Sequence, residues 1–325
     1  MKAKFEEIVD IDKVGNIYAG VDLEKVMLMA DNEVKVPARN DYERVELFII
    51  DGQSDFISAL GSLPVFGAIN DTIRLCKFIY RFIEQISGIR ETMDWHSACQ
   101  IFFPSAWVYG KDFTDENGVH KVGEHVLPNV TVITSKGIKE GKFVTTLPDT
   151  KKAYEYVERI DKAKASNNSV DELRIWPYHC EKNTWGATIE GELNKIIMYH
   201  KIIRDTDVAI YYKGQDVYSE QYGAVEAEYS PENEVRHDIL SVFEDSRTVR
   251  FYFAGQAKSH CVLRTLCQIA KHYANRPDIL DKFWVLEDCM SCIPGFESAT
   301  EEKMNELKKM GIHFIKSTDV VDIRK

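Results

Sequence analysis

The chain has 325 residues, of which 44% are hydrophobic and 29% charged, a composition typical of a soluble globular protein with one large domain or two modest ones. Its formal net charge of −11 argues against a nucleic-acid-binding surface, and no apolar run approaches the ~20 residues that a membrane span needs. The acidic N-terminus is unlike a secretory signal, and the seven scattered cysteines, which form no paired framework, predict reduced thiols and a cytoplasmic location.

The first predicted strand follows a charged N-terminal segment. Residues 1–44 have no long hydrophobic period, and we interpret them as an N-terminal extension. Residues 45–50 form an apolar run interrupted only by Glu46, which is typical of a strand buried in a parallel sheet. Asp51 follows this strand directly. Because open α/β sheets place functional side chains at the carboxyl ends of their strands, Asp51 is the first candidate site residue.

A second predicted strand leads into candidate metal ligands. Residues 66–86 have helical spacing, and residues 89–93 form a short strand that precedes Asp94 and His96. A carboxylate and an imidazole two positions apart lie on the same side of an extended segment. His179 offers a third ligand, and three such ligands with open positions suit zinc, iron or manganese. Spacing alone leaves this metal site and a pair of ordinary buried histidines as equal alternatives.

The middle of the chain is less regular. Residues 104–172 contain several glycines, and we interpret them as an insertion within a domain that spans residues 45–325. Inside the insertion, residues 130–144 are predicted as a hairpin and residues 150–164 as a helix. The insertion starts soon after the first candidate metal ligands and ends just before the last one.

Strand and helix patterns alternate in the last third of the chain. A helix over residues 189–203 precedes a strand over residues 207–212, which ends at Lys213. Residues 251–255 are a buried strand, and Cys261 follows at the first turn of a helix. The remaining elements are strands over residues 283–286 and 312–315 and a helix over residues 297–310. This alternation predicts a three-layer α/β/α sandwich with a central parallel sheet, which is a Rossmann-like fold.

The position of Cys261 has chemical consequences. Free backbone N–H groups and the positive end of a helix favour a thiolate, and the same groups can hold an oxyanion. Together with Asp51 and Lys213, Cys261 offers a base, a cation and a thiol at one edge of the sheet, which is the composition of an activated-nucleophile site. For each residue alone, a structural explanation is favoured: a buried thiol, an aspartate cap and a surface lysine.

The sequence resembles the isochorismatase-like cysteine hydrolase superfamily, and within it the nicotinamidases and pyrazinamidases most closely. Five stretches that occur in the family's order carry the resemblance: IIDGQSDF (49–56), DWH (94–96), WPYHCEKNTWGATI (176–189), YYKGQDVYSEQYGA (211–224) and FAGQAKSHCVLRTL (253–266). The resemblance extends over residues 45–320, without most of the insertion. It implies the isochorismatase-like fold with a long insertion.

The resemblance also implies catalytic roles. It makes Cys261 the nucleophile, Asp51 its base and Lys213 the third catalytic residue. The backbone N–H groups of Ala257 and Cys261 are expected to form the oxyanion hole, and the peptide bond between Gln256 and Ala257 is expected to be cis.

Metal and substrate contacts follow from the same resemblance. The implied metal ligands are Asp94, His96 and His179. The implied substrate-binding residues are Phe56, Trp176 and Gln53. Zinc is the expected metal, with iron and manganese as alternatives. The sequence departs from the family at Gln100, where a second histidine is common, and at Ser259, where aspartate is usual.

The implied activity is the hydrolysis of nicotinamide to nicotinate and ammonia through a cysteine thioester, in NAD salvage and pyridine nucleotide biosynthesis. The expected partner is this small amide, without nucleic acid or membrane, and homo-oligomerisation is left open. One alternative is another amide or carbamoyl hydrolase of the superfamily. Another is a non-catalytic binding protein on the same fold, which ammonia release from nicotinamide would distinguish from an enzyme.

Overall fold

The computed structural model describes residues 3–167, 172–229 and 234–324 of the chain. The described strands are, in chain order, Arg44–Ile50 (β1), Gly88–Asp94 (β2), Trp107–Tyr109 (β3), Val132–Ile133 (β4), Phe143–Thr145 (β5), Leu173–Arg174 (β6), Ala209–Lys213 (β7), Thr248–Gly255 (β8), Phe283–Leu286 (β9) and His313–Ile315 (β10). Six of these described strands pair in parallel to form one sheet, in the order β10-β9-β8-β1-β2-β7. The predicted parallel sheet is therefore confirmed.

Helices cover both faces of this sheet. The described helices are, in chain order, Phe5–Ile8 (α1), Leu23–Asp31 (α2), Ser54–Ile57 (α3), Ala68–Arg81 (α4), Ser135–Lys139 (α5), Thr150–Asn167 (α6), Gly191–Arg204 (α7), His237–Leu240 (α8), Leu263–His272 (α9), Pro277–Leu280 (α10) and Glu297–Lys309 (α11). Residues of α1, α2, α4 and α7 share one hydrophobic cluster with the sheet, and residues of α8 to α11 share another. The predicted three-layer sandwich is thus confirmed. None of the described helices combines the length and the apolar character that crossing a membrane requires.

The packing of strand β1 on both faces explains why its second half is apolar. Leu47 and Ile49 belong to the cluster that contains α4 and α7, whereas Phe48 and Ile50 belong to the cluster that contains α9 and α11. Successive side chains of a strand point to opposite faces, so a strand covered on both faces needs apolar residues at successive positions, as β1 has from Leu47 to Ile50. This double coverage fixes the end of β1, and with it the position of Asp51.

The segment before β1 packs against the body of the domain. Ile8 and Val26 are fully buried in the same cluster as α7. The backbone N–H of Val36 donates to the carbonyl oxygen of Ile203 at 2.9 Å, close to the end of α7. The segment that the sequence predicts as an N-terminal extension therefore contributes buried side chains to the core.

The insertion has a small hydrophobic core of its own and differs from the prediction in one element. Strand β3 pairs with β5 and β4 pairs with β6, so the hairpin predicted over residues 130–144 is wrong. The side chain of Thr134 accepts a hydrogen bond from the N–H of Gly137 at 3.0 Å and caps the start of α5. This short helix stands where the hairpin would turn. The helix predicted over residues 150–164 is confirmed as α6, and residues 168–171 of the insertion lie outside the described part.

Candidate active site

The ends of four neighbouring strands bring the candidate residues together. Asp51 follows β1, Asp94 ends β2, Lys213 ends β7, and Cys261 follows β8. Because all four strands are parallel and adjacent, their carboxyl ends meet at one edge of the sheet. Each of the four side chains is buried.

Cys261 lies in a tight turn between β8 and α9. The turn is a single π-helical segment, Lys258–Val262, and it leads directly into α9. The N–H groups of His260 and Val262 donate to the carbonyl oxygen of Ala257 at 3.1 and 3.2 Å, which fixes the backbone on both sides of Cys261. The peptide bond between Gln256 and Ala257 is cis, as the resemblance implies.

The ammonium group of Lys213 joins the other three side chains. Its Nζ lies 2.6 Å from Oδ1 of Asp94, 2.9 Å from Oδ2 of Asp51 and 3.5 Å from Sγ of Cys261. The other carboxylate oxygen of Asp51 accepts a hydrogen bond from the hydroxyl of Thr92 at 2.7 Å. The structure therefore brings the three predicted catalytic residues into one contact group.

Burial sets the protonation states of this group. It raises the pKa of the Asp51 carboxyl above its usual value, and Lys213 opposes the shift. It also raises the pKa of the Cys261 thiol well above its usual value, again against Lys213. Burial disfavours the ammonium form of Lys213, but Asp51 and Asp94 outweigh it and raise its pKa. The resting thiol is thus protonated, so the sequence-based expectation of a thiolate favoured by the helix start is wrong for the resting site.

The oxygen and sulfur atoms of Asp51, Asp94 and Cys261 resemble a metal site. These atoms all lie within 4.8 Å of one another. The Nζ of Lys213 contacts each of the three side chains, so a cation from the chain itself already occupies the space among them. We therefore interpret these three side chains as the contacts of the Lys213 ammonium group and not as a metal site.

A second group of side chains has the composition of a catalytic metal centre. Ligand atoms of Asp94, His96 and His179 lie within 4.8 Å of one another, and all three side chains are buried. Nδ1 of His96 lies 2.9 Å from the carbonyl oxygen of Gly214, and Nδ1 of His179 lies 2.7 Å from that of Pro177. A carbonyl oxygen only accepts, so each Nδ1 carries the proton and each Nε2 keeps its lone pair.

Charge and packing also fit a divalent cation at this place. Burial, followed by the neighbouring His96, lowers the pKa of His179 to about 4, so this imidazole is neutral at pH 7 and can ligate a metal. A Cβ atom at Gly214 would lie 2.3 Å from Cε1 of His96, so only glycine lets the ring take this position. Gln100 lies on the Nδ1 side of His96 and donates to the same Gly214 carbonyl. Gln100 therefore helps to hold the His96 ring in position from its Nδ1 side.

A mostly apolar pocket opens beside both groups. Its lining includes Cys261, Ala257 and all three candidate metal ligands. Two of the three predicted substrate-binding residues, Phe56 and Trp176, also line it. The other lining residues are Leu63, Val65, Phe102, Glu220, Gln221, Tyr222, His260 and Ile293. The structure therefore joins the predicted nucleophile, metal ligands and aromatic side chains around one small cavity.

Gln53 lies behind the pocket. Its side-chain amide donates to the carbonyl oxygen of Asp94 at 2.8 Å and accepts from the N–H of Asp94 at 2.8 Å. It donates a further bond to the carbonyl oxygen of Ala187 at 3.0 Å. Gln53 is fully buried and is not among the lining residues, so the contacts of its amide position the backbone of Asp94.

Sequence reasoning missed several residues that line the pocket. Glu220 and Tyr222 lie inside one of the five family-like stretches, but no spacing distinguishes a buried glutamate from an exposed one. His260 precedes Cys261 directly, and its ring lies edge-on to those of Trp176 and Tyr222. Phe102 belongs to the aromatic run that begins the insertion, and its ring packs edge-on against His96. For His260 and Phe102, the only indication in the sequence is that each lies close to a candidate site residue.

Comparisons with known proteins identify the fold. No protein-family model and no curated protein sequence matches the chain. The structure of the yeast nicotinamidase bound to the inhibitor nicotinaldehyde is similar, with a TM-score of 0.53 and 21% identity over 84% of this chain and 99% of that chain. A nicotinamidase/pyrazinamidase of Acinetobacter baumanii has a TM-score of 0.51 and 18% identity over 85% of this chain and 98% of that chain.

A third similar structure is that of an L. infantum protein in complex with nicotinate, with a TM-score of 0.50 and 17% identity over 89% of this chain and 98% of that chain. Identities of this size establish the fold, and function has to be argued from the site. The chain has the isochorismatase-like fold of the nicotinamidase structures, and the resemblance stated from the sequence is confirmed at that level.

Proposed function

We propose that the protein hydrolyses a primary carboxamide on a heteroaromatic ring through a thioester on Cys261, with nicotinamide as the substrate and nicotinate and ammonia as the products. The observation that carries the proposal is the contact of Lys213 Nζ with both Asp51 Oδ2 and Cys261 Sγ, at 2.9 and 3.5 Å. A thiol, a buried carboxylate and a cation in contact are the parts of an activated cysteine nucleophile. In this proposal the reaction serves NAD salvage in the cytoplasm.

The first half of the reaction forms the thioester. Asp51 takes the proton from Sγ of Cys261, and Sγ bonds to the amide carbon while the carbonyl π electrons move to oxygen. The backbone N–H groups of Ala257 and Cys261 donate to this oxyanion. Asp51 then gives its proton to the nitrogen, the C–N bond breaks, and ammonia leaves. The raised pKa of Asp51 suits both directions of this proton transfer.

The second half consumes the thioester. Asp51 accepts a proton from a water molecule as the water oxygen attacks the thioester carbon. The C–S bond breaks, the acid is released, and Sγ of Cys261 recovers its proton from Asp51. Throughout, the ammonium of Lys213 stays beside Asp51 and Cys261 and balances whichever of the two is negatively charged.

Asp94, His96 and His179 are the residues that would hold a divalent metal, with zinc as the expected ion and iron or manganese as alternatives. A metal bound there would supply a Lewis acid for a ring nitrogen of the ligand. The aromatic side chains of Phe56 and Trp176 would then contact the faces of the ring.

A specific observation also favours a longer amide as a second candidate substrate. Trp176, Tyr222 and His260 line both the inner pocket and a neighbouring cleft of about 850 Å³ among the described residues. A substrate could place its carboxamide in the inner pocket and its remainder in this cleft. The alternative of a non-catalytic binding protein has no such observation in its favour.

The test is ammonia release by the purified protein from nicotinamide, benzamide and longer nicotinoyl amides, before and after treatment with a chelator. The proposal expects turnover of nicotinamide, loss of turnover after chelation, and recovery with added zinc, iron or manganese. Benzamide lacks the ring nitrogen and should be the poorer substrate. No ammonia from any amide in the metal-loaded protein would contradict the proposal.

A further inference from the structure

The apolar pocket contains one carboxyl group that the proposed reaction does not use. Glu220 lines the pocket, and its exposed fraction is 5%. Its Oε1 accepts hydrogen bonds from Nε1–H of Trp176 and from the hydroxyl of Tyr222, both at 3.2 Å. Its Oε2 has no hydrogen-bond partner among the described residues. A carboxyl oxygen that has no protein partner beside a pocket is available to a ligand.

The backbone holds this carboxyl group in place. The N–H of Glu220 donates to the hydroxyl oxygen of Tyr156 at 2.7 Å, and its carbonyl oxygen accepts from the N–H of Glu228 at 2.8 Å. Tyr156 belongs to α6 of the insertion and is fully buried. Hydrogen bonds therefore fix both the backbone and Oε1 of Glu220, and they leave Oε2 as the carboxyl oxygen that a ligand can contact.

The charges around Glu220 indicate what would complete it. The described lining of the pocket contains two carboxyl groups, those of Asp94 and Glu220, and no lysine or arginine. Asp94 has Lys213 as its counterion, whereas Glu220 has no salt-bridge partner among the described residues. Burial, with Asp94 and Glu228 adding to it, raises the pKa of Glu220 well above its usual value, so the carboxyl is protonated at neutral pH, and a hydrogen-bond donor placed at Oε2 would favour its ionised form. A ligand that brings a hydrogen-bond donor would supply the missing partner.

We propose that Glu220 determines substrate specificity by accepting a hydrogen bond at Oε2 from an N–H donor on the ring of the substrate, so that the preferred substrate is an aromatic carboxamide that also carries an amino group. The proposal rests on the proposed function, because the ring is taken to lie in the same pocket as the scissile amide. Both protein groups that contact the carboxyl donate to Oε1, so Oε2 is the oxygen left to accept from a ligand when the carboxyl is ionised. Since Trp176 donates to the Glu220 carboxyl from its Nε1 edge, a ring stacked on Trp176 would bring its rim close to this carboxyl group.

The test uses matched pairs of pyridine-3-carboxamides that bear either an amino or a methyl group at the same ring carbon. Amino and methyl groups have similar size, so the ratio of the constants measured for the two compounds isolates the contribution of the hydrogen bond. Both kcat/KM for ammonia release in the full-length protein and Kd by calorimetry in the Cys261→Ala variant are measured for every ring position. Glu220→Gln and Glu220→Leu are the test variants, and Glu226→Gln is the matched control because Glu226 pairs with Lys271 outside the pocket lining.

At one ring position the amino compound should be preferred over its methyl partner by roughly threefold to tenfold, because ionising the buried carboxyl offsets part of the energy of a hydrogen bond to a charged group. Glu220→Leu should abolish the preference, Glu220→Gln should keep part of it through its carbonyl oxygen, and Glu226→Gln should keep all of it. A preference absent at every position, or unchanged in both Glu220 variants, would overturn the assignment.

The two proposals fail in different ways. Turnover of nicotinamide without any amino preference contradicts the role of Glu220 alone. An amino preference in Kd without ammonia release contradicts the proposed hydrolysis and retains Glu220 as a recognition residue. If no compound in the panel binds or reacts, both proposals are wrong. Because Glu220→Gln is nearly isosteric, it keeps the test valid even if Glu220→Leu does not fold.

Discussion

The Nζ atom of Lys213 lies 2.6 Å from Oδ1 of Asp94, so a candidate catalytic residue and a candidate metal ligand share a salt bridge in the core of the domain. Burial alone would raise the pKa of Asp94, but Lys213 and then His96 lower it below its usual value. Asp94 is therefore ionised at neutral pH, as a metal ligand has to be. The nucleophile and the metal ligands form one electrostatic unit, in which Lys213 is the shared cation.

Replacing Lys213 should damage this unit in two ways. Lys213→Met leaves Asp51 and Asp94 buried without their cation, and removal of one partner of a buried ion pair costs about 3–5 kcal/mol of unfolding free energy. It should also abolish turnover. Chemical denaturation and ammonia release measure the two effects.

Lys195→Met is the matched control for Lys213→Met. Lys195 is equally buried and pairs with Asp22 and Glu192, but it lies outside the pocket lining. The control variant should lose stability and keep kcat in the folded fraction. Wild-type kcat/KM in Lys213→Met would contradict the assigned role.

Metal binding should depend on His96 and His179, whose Nδ1 atoms contact backbone carbonyl oxygens and whose Nε2 atoms keep a lone pair. His96→Ala and His179→Ala should each lower the metal content of the purified protein well below one ion per chain, as measured by plasma mass spectrometry after dialysis. His200→Gln is the control, because His200 is also fully buried but its Nε2 contacts the carbonyl oxygen of Ile86 at 2.9 Å, away from the site. Stoichiometric metal in the His96→Ala/His179→Ala double variant would refute the ligand set.

A buried carboxyl outside the pocket should make stability depend on pH. Both carboxyl oxygens of Glu91 are buried without a hydrogen-bond partner in the described residues, and burial raises its pKa well above the ordinary 4.5. As pH rises above 4.5, the unfolded chain ionises Glu91 while the folded chain keeps it protonated, so the folded state loses stability. The loss has an upper limit of about 1.4 kcal/mol per pH unit.

Glu91→Met should therefore be more stable than the wild type at pH 8, and the difference should shrink as the pH falls towards 4.5. Urea denaturation of both proteins across this range measures it. Met has nearly the same length as Glu and suits the apolar neighbours Leu193 and Ile49, which surround the adjacent Gly52. A stability difference that does not change with pH would contradict the protonation state assigned to Glu91.

The insertion should contribute to the pocket through Tyr156. Tyr156→Phe removes the acceptor of the Glu220 N–H, and an unsatisfied buried N–H costs about 1–3 kcal/mol. Because Glu220 loses a support, KM for the preferred amide should rise more than kcat falls. Tyr154→Phe on the same helix, where the ring stacks near Trp107, should change neither constant. Equal kinetics for the two variants would reject a role of the insertion at the pocket.

The sequence predicts the strands and the order of the site residues along the chain because both leave strong local signals. A strand covered on both faces favours a long apolar run, which residues 45–50 have apart from Glu46, and Asp51 follows this run directly. The predicted hairpin at residues 130–144 is wrong because the Thr134 cap favours a helix over a turn by a local hydrogen bond. Short elements of this kind depend on single side-chain contacts, which periodicity does not register.

Glu220 and Glu91 escaped prediction for a different physical reason. A glutamate in sequence is expected at the surface, and only the tertiary packing around it decides otherwise. Glu220 is enclosed because Trp176, from a distant stretch of the chain, meets the nearby Tyr222 at its Oε1. The aromatic side chains of Phe102, Phe103 and Trp107, at the start of the insertion, are buried within the chain itself, which their spacing in the sequence does not show.

The most direct measurement of the central claim is kcat/KM for ammonia release from nicotinamide by the metal-loaded wild type, Cys261→Ala and Cys180→Ala. Cys180 is the matched control, since it is equally buried and follows His179, but it lies outside the pocket lining. If the thioester forms on Cys261, Cys261→Ala should retain no measurable activity, and Cys180→Ala should stay near the wild type. Activity in Cys261→Ala close to that of the wild type, with the fold and metal content unchanged, would contradict the account.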